Sequence, residues 1–111
     1  MKFNNNDGFV SFDARKAQSA QAFSHFTHSV TTGQVMVVDV QGIKDTANSY
    51  LLTDPAIHSS NRQSFPARTN CGAGGMVRFF QTHRCNPICH RLKLTRATNQ
   101  PPDDLTDTVR E

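Results

Sequence analysis

The spacing of apolar and polar side chains predicts a helix followed by a buried strand in the first part of the chain. Residues 14–27 contain no Gly or Pro and place apolar side chains one helical turn apart, and Asp13 is a plausible N-cap. After Gly33 the run QVMVVDVQG is short, rich in β-branched residues and bounded by glycines, which is typical of a buried strand.

The second part of the chain predicts loops and two further helices. Residues 43–70 mix short apolar pieces with turn residues, so we expect mostly loop, with an extended piece over residues 50–52. The glycines of CGAGG precede MVRFFQTH, whose apolar positions form a helical stripe. Asn86 followed by Pro87 favours a new helix from about residue 87 to 94.

Composition indicates one small domain with a modest core. The 111 residues are 36% hydrophobic and 19% charged. No apolar run reaches the ~20 residues of a membrane helix, and the N-terminus lacks the apolar core of a secretory signal, so we expect a cytoplasmic protein without membrane contact. The net charge of +3 is spread along the chain, which does not predict nucleic-acid binding. Residues 95–111 are polar and contain Pro-Pro, which predicts a disordered tail.

The segment THRCNPICH suggests a metal site. In a reducing cytosol the cysteines are thiols or metal ligands, and His83, Cys85 and Cys89 converge if a helix begins at Pro87. The helix N-terminus and two nearby arginines would lower the thiol pKa values. Tetrahedral zinc needs a fourth ligand, for which the candidates are His25, His28, His58, His90 and Cys71. The simpler alternative is a helix end with two small buried cysteines and a surface histidine.

Polar side chains at the end of the predicted strand suggest a second site. Alternation places Asp39 and Gln41 on one face and the neighbouring valines on the other. Taken singly, Asp39 and Asp54 are adequately explained as turn residues, but together with Gln41 they form an oxygen set suited to magnesium. The glycines of NCGAGGM offer backbone N–H groups to an anion, although they do not match a phosphate-binding loop.

Six sequence blocks in order resemble a known family. They are KFNNNDGFV, AQAFSHFTH, VMVVDVQGI, LTDPAIH, TNCGAGG and FFQTHRCNPICHRLKL. Together they resemble the C-terminal half of the catalytic domain of the alpha-type protein kinases, an atypical serine/threonine kinase family. The resemblance covers residues 2–94 and implies an α+β fold, the C-terminal lobe of such a kinase, in which a structural zinc ion is held by His25, His83, Cys85 and Cys89.

The resemblance also implies roles at the catalytic edge. Asp39 would be the catalytic aspartate, and Gln41 and Asp54 would hold magnesium on the phosphates of ATP. The phosphate or substrate segment would contain Asn70, Gly72, Gly74 and Gly75. These residue types suit phosphoryl transfer to a protein hydroxyl, which relies on positioning and charge neutralisation.

Two of the departures from the family pattern bear on activity. Extra residues around DTANSY would shift Asp54 relative to Asp39. The N-terminal nucleotide-binding lobe of the family is absent from the sequence, so we expect little activity from the chain alone. The alternative expectation is a noncatalytic, zinc-stabilised module that binds a protein partner.

Overall fold

The computed structural model describes residues 2–11, 14–46, 49–98 and 100–105. In chain order the elements are α1 (Ala14–Val30), β1 (Val35–Val38), β2 (Gly42–Thr46), β3 (Ser49–Leu52), β4 (Ala56–Ser59), a 3-10 turn (Arg62–Ser64), α2 (Gly72–Thr82) and α3 (Pro87–Arg91). None of the described helices has the length and apolar character that crossing a membrane requires.

Helix α1 is packed with its polar face inward. Gln21, Ser24 and His25 are buried, whereas Phe23 and Phe26 are 43% and 38% exposed. The buried polar groups are bonded, since Asn4 Nδ2 donates to Gln21 Oε1 at 2.7 Å and to Ser24 Oγ at 3.0 Å. The predicted helix is confirmed and continues to Val30. The predicted N-cap, residue 13, lies outside the described residues.

The strands form two separate antiparallel pairs. β1 pairs with β4, with Val35 opposite Ser59 and Val38 opposite Ala56, while β2 and β3 form a hairpin. The predicted extended piece over residues 50–52 is confirmed as part of β3. The expectation of loop for most of residues 43–70 was wrong, because β2 and β4 also lie there. Both are short, and β4 is stabilised by pairing with the distant β1 rather than by its own sequence pattern.

Alternation along β1 places the core. Met36 and Val38 are fully buried and Val40, just beyond the strand, is 2% exposed. The predicted inward face is therefore confirmed, although the regular strand ends at Val38. Met36 and Val38 pack in one cluster with three apolar residues of α2, which are Met76, Phe79 and Phe80.

The two C-terminal helices begin at different kinds of signal. α2 begins at Gly72, so the glycines form its first turns and do not precede it as expected. α3 begins at Pro87, with the Asn86 side chain accepting from the N–H groups of Ile88 and Cys89. This confirms the predicted N-cap, because its signal is local. α3 ends at Arg91, earlier than the expected position near residue 94.

Candidate functional site

Three segments bring together a cluster of two histidines and two cysteines. His25 comes from the middle of α1, His83 follows α2, and Cys85 and Cys89 flank the start of α3. All four side chains are buried, and one potential ligand atom from each lies within 4.8 Å of the others. Across the described part of the chain, this is the group of His, Cys and acidic residues with metal-site geometry.

The distances within the cluster fit a tetrahedral metal. Cys85 Sγ lies 3.6 Å from His25 Nδ1 and 3.8 Å from His83 Nε2, and Cys89 Sγ lies 3.7 Å from the same His83 nitrogen. Zinc bonds of about 2.3 Å to sulfur and 2.0–2.1 Å to nitrogen give a tetrahedral edge of roughly 3.5 Å between the two ligand atoms. The three measured distances are close to that edge, and all four atoms lie within 4.8 Å of one another.

The second ring nitrogen of each histidine has a partner outside the cluster. His25 Nε2 lies 2.9 Å from the carbonyl oxygen of Thr95, to which it donates, so Nδ1 keeps a lone pair facing the sulfurs. His83 Nδ1 lies 3.3 Å from Nε2 of Gln21. Such outer contacts fix the ring orientation of metal-binding histidines.

Burial dominates the electrostatics of the cluster. It lowers the pKa of His25, and it lowers the pKa of His83 to about 3, with the nearby His25 adding to the effect. Burial also raises the pKa of Cys89 to about 12, and Cys85 adds to that rise. The expected lowering of thiol pKa by the helix N-terminus and the arginines is thus wrong for Cys89. Burial is the largest cause of the raised pKa, and it outweighs the backbone hydrogen bonds that lower the pKa. Arg84 and Arg91 are exposed.

The other candidates for a fourth ligand have different surroundings. His58 Nε2 donates to the carbonyl of Asn6 at 3.1 Å, and its Nδ1 accepts from the backbone N–H of Cys71 at 3.0 Å. His90 contacts Asp103 at 2.9 Å, and His28 packs edge-on against Phe80.

Asp39 lies directly after β1 in a constrained backbone conformation. Its φ is +56°, in the left-handed region that side chains other than Gly rarely adopt. Its carboxylate Oδ1 lies 2.9 Å from the ammonium group of Lys2, and the backbone of Lys2 pairs with Gln41. Sequence reasoning missed Lys2, because only the fold brings the N-terminal segment beside β1.

At the base of the β2–β3 hairpin, the residue before Asp54 is hydrogen-bonded to Gln41. Gly42 pairs with Leu52, and the N–H of Thr53 donates to the carbonyl of Gln41 at 3.0 Å. Asp54 follows in a left-handed conformation with φ +49° and an exposed side chain. Residues 45–46 and 49–50 of the segment DTANSY lie in β2 and β3, and residues 47 and 48 lie outside the described part of the chain.

Asn70 is a buried connector. Its Oδ1 accepts from the N–H groups of Ser59 and Gly72 at 3.0 and 2.9 Å, and its Nδ2 donates to Ser59 Oγ and the Phe65 carbonyl. The side chain is 1% exposed. It therefore fixes the start of α2 against β4, and these partners occupy its amide.

The glycines of α2 have separate environments. Gly72 has φ +63°, and a Cβ on Gly75 would lie 2.5 Å from His58 Cε1. Gly74 is exposed, and a Cβ added there would lie 3.6 Å from Arg78 Nη1. Backbone conformation thus explains the glycine at position 72, and packing against His58 explains the glycine at position 75.

A family model and curated relatives of this chain all indicate the same protein family. The sequence model of the alpha-kinase family matches residues 1–89. Alpha-protein kinase 1 of Dictyostelium discoideum is 43% identical over 108 residues, covering 97% of this chain and 7% of that protein. Eukaryotic elongation factor 2 kinase of Caenorhabditis elegans is 44% identical over 112 residues, covering 100% of this chain and 14% of that protein.

Solved structures give the same result for the fold. An alpha kinase from Entamoeba histolytica superposes with a TM-score of 0.85 at 34% identity, covering 94% of this chain and 39% of that one. The alpha-kinase domain of myosin heavy chain kinase A in complex with AMPPCP superposes with a TM-score of 0.74 at 39% identity, covering 86% and 34%.

The chain belongs to the alpha-kinase family. Its fold is the alpha-kinase fold over the matched region, with mixed helix and strand content. The chain spans 7% and 14% of these two curated relatives.

Proposed function

We propose that residues 1–94 form the C-terminal lobe of an alpha-type protein kinase, which transfers phosphate from ATP to serine or threonine hydroxyls of a protein substrate. The observation that carries this proposal is the position of Asp39, constrained after a buried strand, paired with Lys2 at 2.9 Å and adjacent to Gln41. A carboxylate held in position beside a cationic group from another segment suits phosphoryl transfer, which relies on positioning and charge neutralisation.

Asp39 accepts the hydroxyl hydrogen bond of the substrate and orients the oxygen for attack. The ammonium group of Lys2 holds the Asp39 carboxylate and offers positive charge where the transferred phosphate carries negative charge. Gln41 and Asp54 supply the oxygen ligands that magnesium prefers, and magnesium when bound neutralises charge on the ATP phosphates. The related myosin kinase domain forms a complex with AMPPCP, which supports nucleotide binding by this fold.

Asn70 with Gly72, Gly74 and Gly75 forms the proposed phosphate or substrate segment. The buried Asn70 amide orients the first turn of α2, while Gly74 lies on the exposed side of that turn. The role of this segment is therefore to present exposed backbone at the start of α2 to the substrate polypeptide.

The zinc proposal is supported by the donor set and its spacing. Two imidazoles and two cysteines, buried with Sγ to N distances of 3.6–3.8 Å, match a structural Cys₂His₂ zinc site. Zinc binds the thiolate form of cysteine, and burial raises the pKa of the Cys89 thiol. Because zinc must displace this proton, zinc affinity should fall as the pH falls. His25, His83, Cys85 and Cys89 would hold the ion, which when bound cross-links α1 to the segment around α3.

The amide of Gln21 lies beside the other ring nitrogen of His83. Ligation through His83 Nε2 places the ring proton on Nδ1, which then needs an acceptor. Gln21 presents Nε2 to that nitrogen in the structure. A rotation of the Gln21 amide by about half a turn would present Oε1 to Nδ1, but it would also turn Nε2 towards Asn4 Nδ2, which donates to Oε1 at 2.7 Å.

A segment exchange tests the kinase proposal. Residues 1–105 replace the matched segment of alpha-protein kinase 1 from D. discoideum, and phosphate transfer from ATP to a protein substrate is measured. We expect an active chimera whose kcat falls at least 100-fold with Asp39→Asn. Asp7→Asn is the matched control, since Asp7 is exposed and pairs with Arg78 instead of Lys2. An inactive chimera that folds and binds zinc would contradict the proposal.

The chain alone is expected to show little activity, because it covers 34–39% of the solved alpha-kinase chains. Robust substrate phosphorylation by the isolated chain would contradict this expectation.

A noncatalytic, zinc-stabilised interaction module is the second candidate. Ile43 and Leu51 face each other across the β2–β3 hairpin and are 58% and 66% exposed. An exposed apolar pair of this kind suits contact with a protein. A folded, zinc-loaded chimera without kinase activity would favour this candidate.

A further inference from the structure

The segment after α3 folds back over the cysteine and histidine cluster. We call residues 95–105 the C-terminal strap, of which 95–98 and 100–105 are described. The Thr95 carbonyl accepts from His25, and the N–H of Asp104 donates to the carbonyl of Cys85 at 2.8 Å. The expectation of a disordered tail was therefore wrong for the described residues of the strap. Residues 106–111 lie outside the described part of the chain.

Gln100 is the residue of the strap that reaches a sulfur atom. Its side-chain Nε2 lies 3.0 Å from Cys85 Sγ, and the residue is 5% exposed. Its Oε1 accepts from the N–H of Ala97 at 3.0 Å. Because that bond fixes the carbonyl end of the amide, the NH₂ end faces the sulfur and donates to it.

Contacts made by Arg96, none of them with the four cluster side chains, hold Gln100 in this position. The guanidinium of Arg96 donates to the carbonyls of Gln100 at 2.6 Å and Pro101 at 3.1 Å. Arg96 also pairs with Asp103, whose second oxygen contacts His90 on α3 at 2.9 Å. The Gln100 amide is therefore positioned before any ion is added, which lowers the entropy cost of its bond to sulfur.

We infer that Gln100 is a positioning residue of the metal centre, donating an N–H···S hydrogen bond that stabilises the Cys85 thiolate. This inference rests on the proposed zinc site. A donor aimed at a sulfur favours its anionic form and draws electron density from the metal–sulfur bond. Gln100 acts through Cys85 and does not itself bind the ion.

Cobalt(II) substitution tests this bond directly. The chain is loaded with cobalt, and its sulfur-to-cobalt charge-transfer absorption is compared between wild type and Gln100→Leu. Loss of an N–H···S bond raises the energy of the sulfur lone-pair electrons. The energy of the sulfur-to-cobalt transition therefore falls, and the band should move to longer wavelength. Zinc affinity, measured by competition with a chromophoric chelator, should fall by about 10- to 100-fold.

Two variants make the result specific. Gln63→Leu is the matched control, because Gln63 is an exposed glutamine in the 3-10 turn and should change neither readout. Gln100→Glu keeps the side-chain shape but places an oxygen against the sulfur, so it should weaken zinc binding at least as much as leucine does. Circular dichroism of the loaded proteins checks that each variant folds.

The outcomes separate the two proposals. A wild-type chain with no cobalt charge-transfer band contradicts the zinc site itself. A wild-type band combined with unchanged band position and affinity in both Gln100 variants overturns only the role of Gln100. If both Gln100 variants stay unfolded at saturating zinc, the residue supports the fold and the inference is also overturned.

Discussion

His25 Nδ1 lies 3.6 Å from Cys85 Sγ, although the two residues are 60 positions apart in the chain. This contact joins the middle of α1 to the turn before α3. An ion held there would close a long loop in the chain. The ion would thereby restrict the conformational freedom of the chain and would also bind the folded state. The proposed site therefore makes the metal part of the folding free energy.

Removal of the metal ligand on α1 should unfold the chain. His25→Ala is expected to reduce zinc from one ion per chain to near zero, because structural zinc contributes about 10–16 kcal/mol of apparent binding free energy, comparable to the whole stability of a small domain. Native mass spectrometry and thermal melting measure the two effects. His28→Ala, on the same helix and outside the cluster, is the control. Full zinc occupancy in His25→Ala would show that another residue is the fourth ligand.

Loss of the charge on Lys2 should impair catalysis while leaving the zinc centre intact. In the chimera, Lys2→Ala is expected to lower kcat/KM by about 100-fold, since the Asp39 carboxylate loses its ion pair and the phosphate loses a cation. Lys2→Arg keeps the charge and should recover part of the loss. Equal rates for Lys2→Ala and wild type would remove Lys2 from the catalytic edge.

The two glycines at 74 and 75 should respond in opposite directions to alanine. A Cβ at Gly75 would lie 2.5 Å from His58 Cε1 and 2.8 Å from Cys71 Cβ, so Gly75→Ala should cost about 1–3 kcal/mol of unfolding free energy. A Cβ at Gly74 would make only an ordinary contact, with Arg78 Nη1 at 3.6 Å, so Gly74→Ala should add about 0.5–1 kcal/mol because alanine is the better helix former. Urea unfolding of both variants measures the difference. A stabilised Gly75→Ala would contradict the packing of α2 on β4.

Acid should destabilise the chain through His58. Burial lowers its pKa below 6.5, with Arg78 adding to the effect and the Asn6 carbonyl and Asp7 opposing it. The unfolded chain therefore binds a proton below pH 6.5 that the folded chain does not. The stability linked to neutral His58 is present above pH 6.5 and falls as the pH drops towards the lowered pKa.

The variant His58→Gln isolates this contribution. It should reduce the slope of unfolding free energy against pH below 6.5 by up to about 1.4 kcal/mol per pH unit, which corresponds to one proton. Urea titrations at several pH values measure the slope. An unchanged slope would mean that His58 is protonated equally in both states.

Local signals were predicted well from the sequence. The start of α3 depends on Asn86 and Pro87 alone, and the inward face of β1 depends on alternation within a few residues. Hydrogen bonding and backbone conformation act there over one turn or one pleat. These parts of the fold could therefore be predicted without any knowledge of distant residues.

Features that depend on distant partners were missed. β4 forms because β1 pairs with it, and Lys2 joins Asp39 because the N-terminal segment crosses beside Gln41. The strap is polar and rich in proline, yet Gln100 is buried because its amide NH₂ group donates to a sulfur atom and its amide oxygen accepts from a backbone N–H. Such compensation is visible only when the partners are known.

The inward polar face of α1 inverts the usual pattern of mutational tolerance. At the aromatic positions Phe23 and Phe26, the side chains are exposed enough for polar replacements to be accepted at little cost. At Gln21 and Ser24, an apolar replacement would strand the amide of Asn4 inside the protein. A ranking by hydropathy would therefore predict the tolerance of substitutions in this helix in the wrong order. A mutant library that keeps the apolar residues of α1 and varies its polar residues would lose the side chains that hold the helix in place.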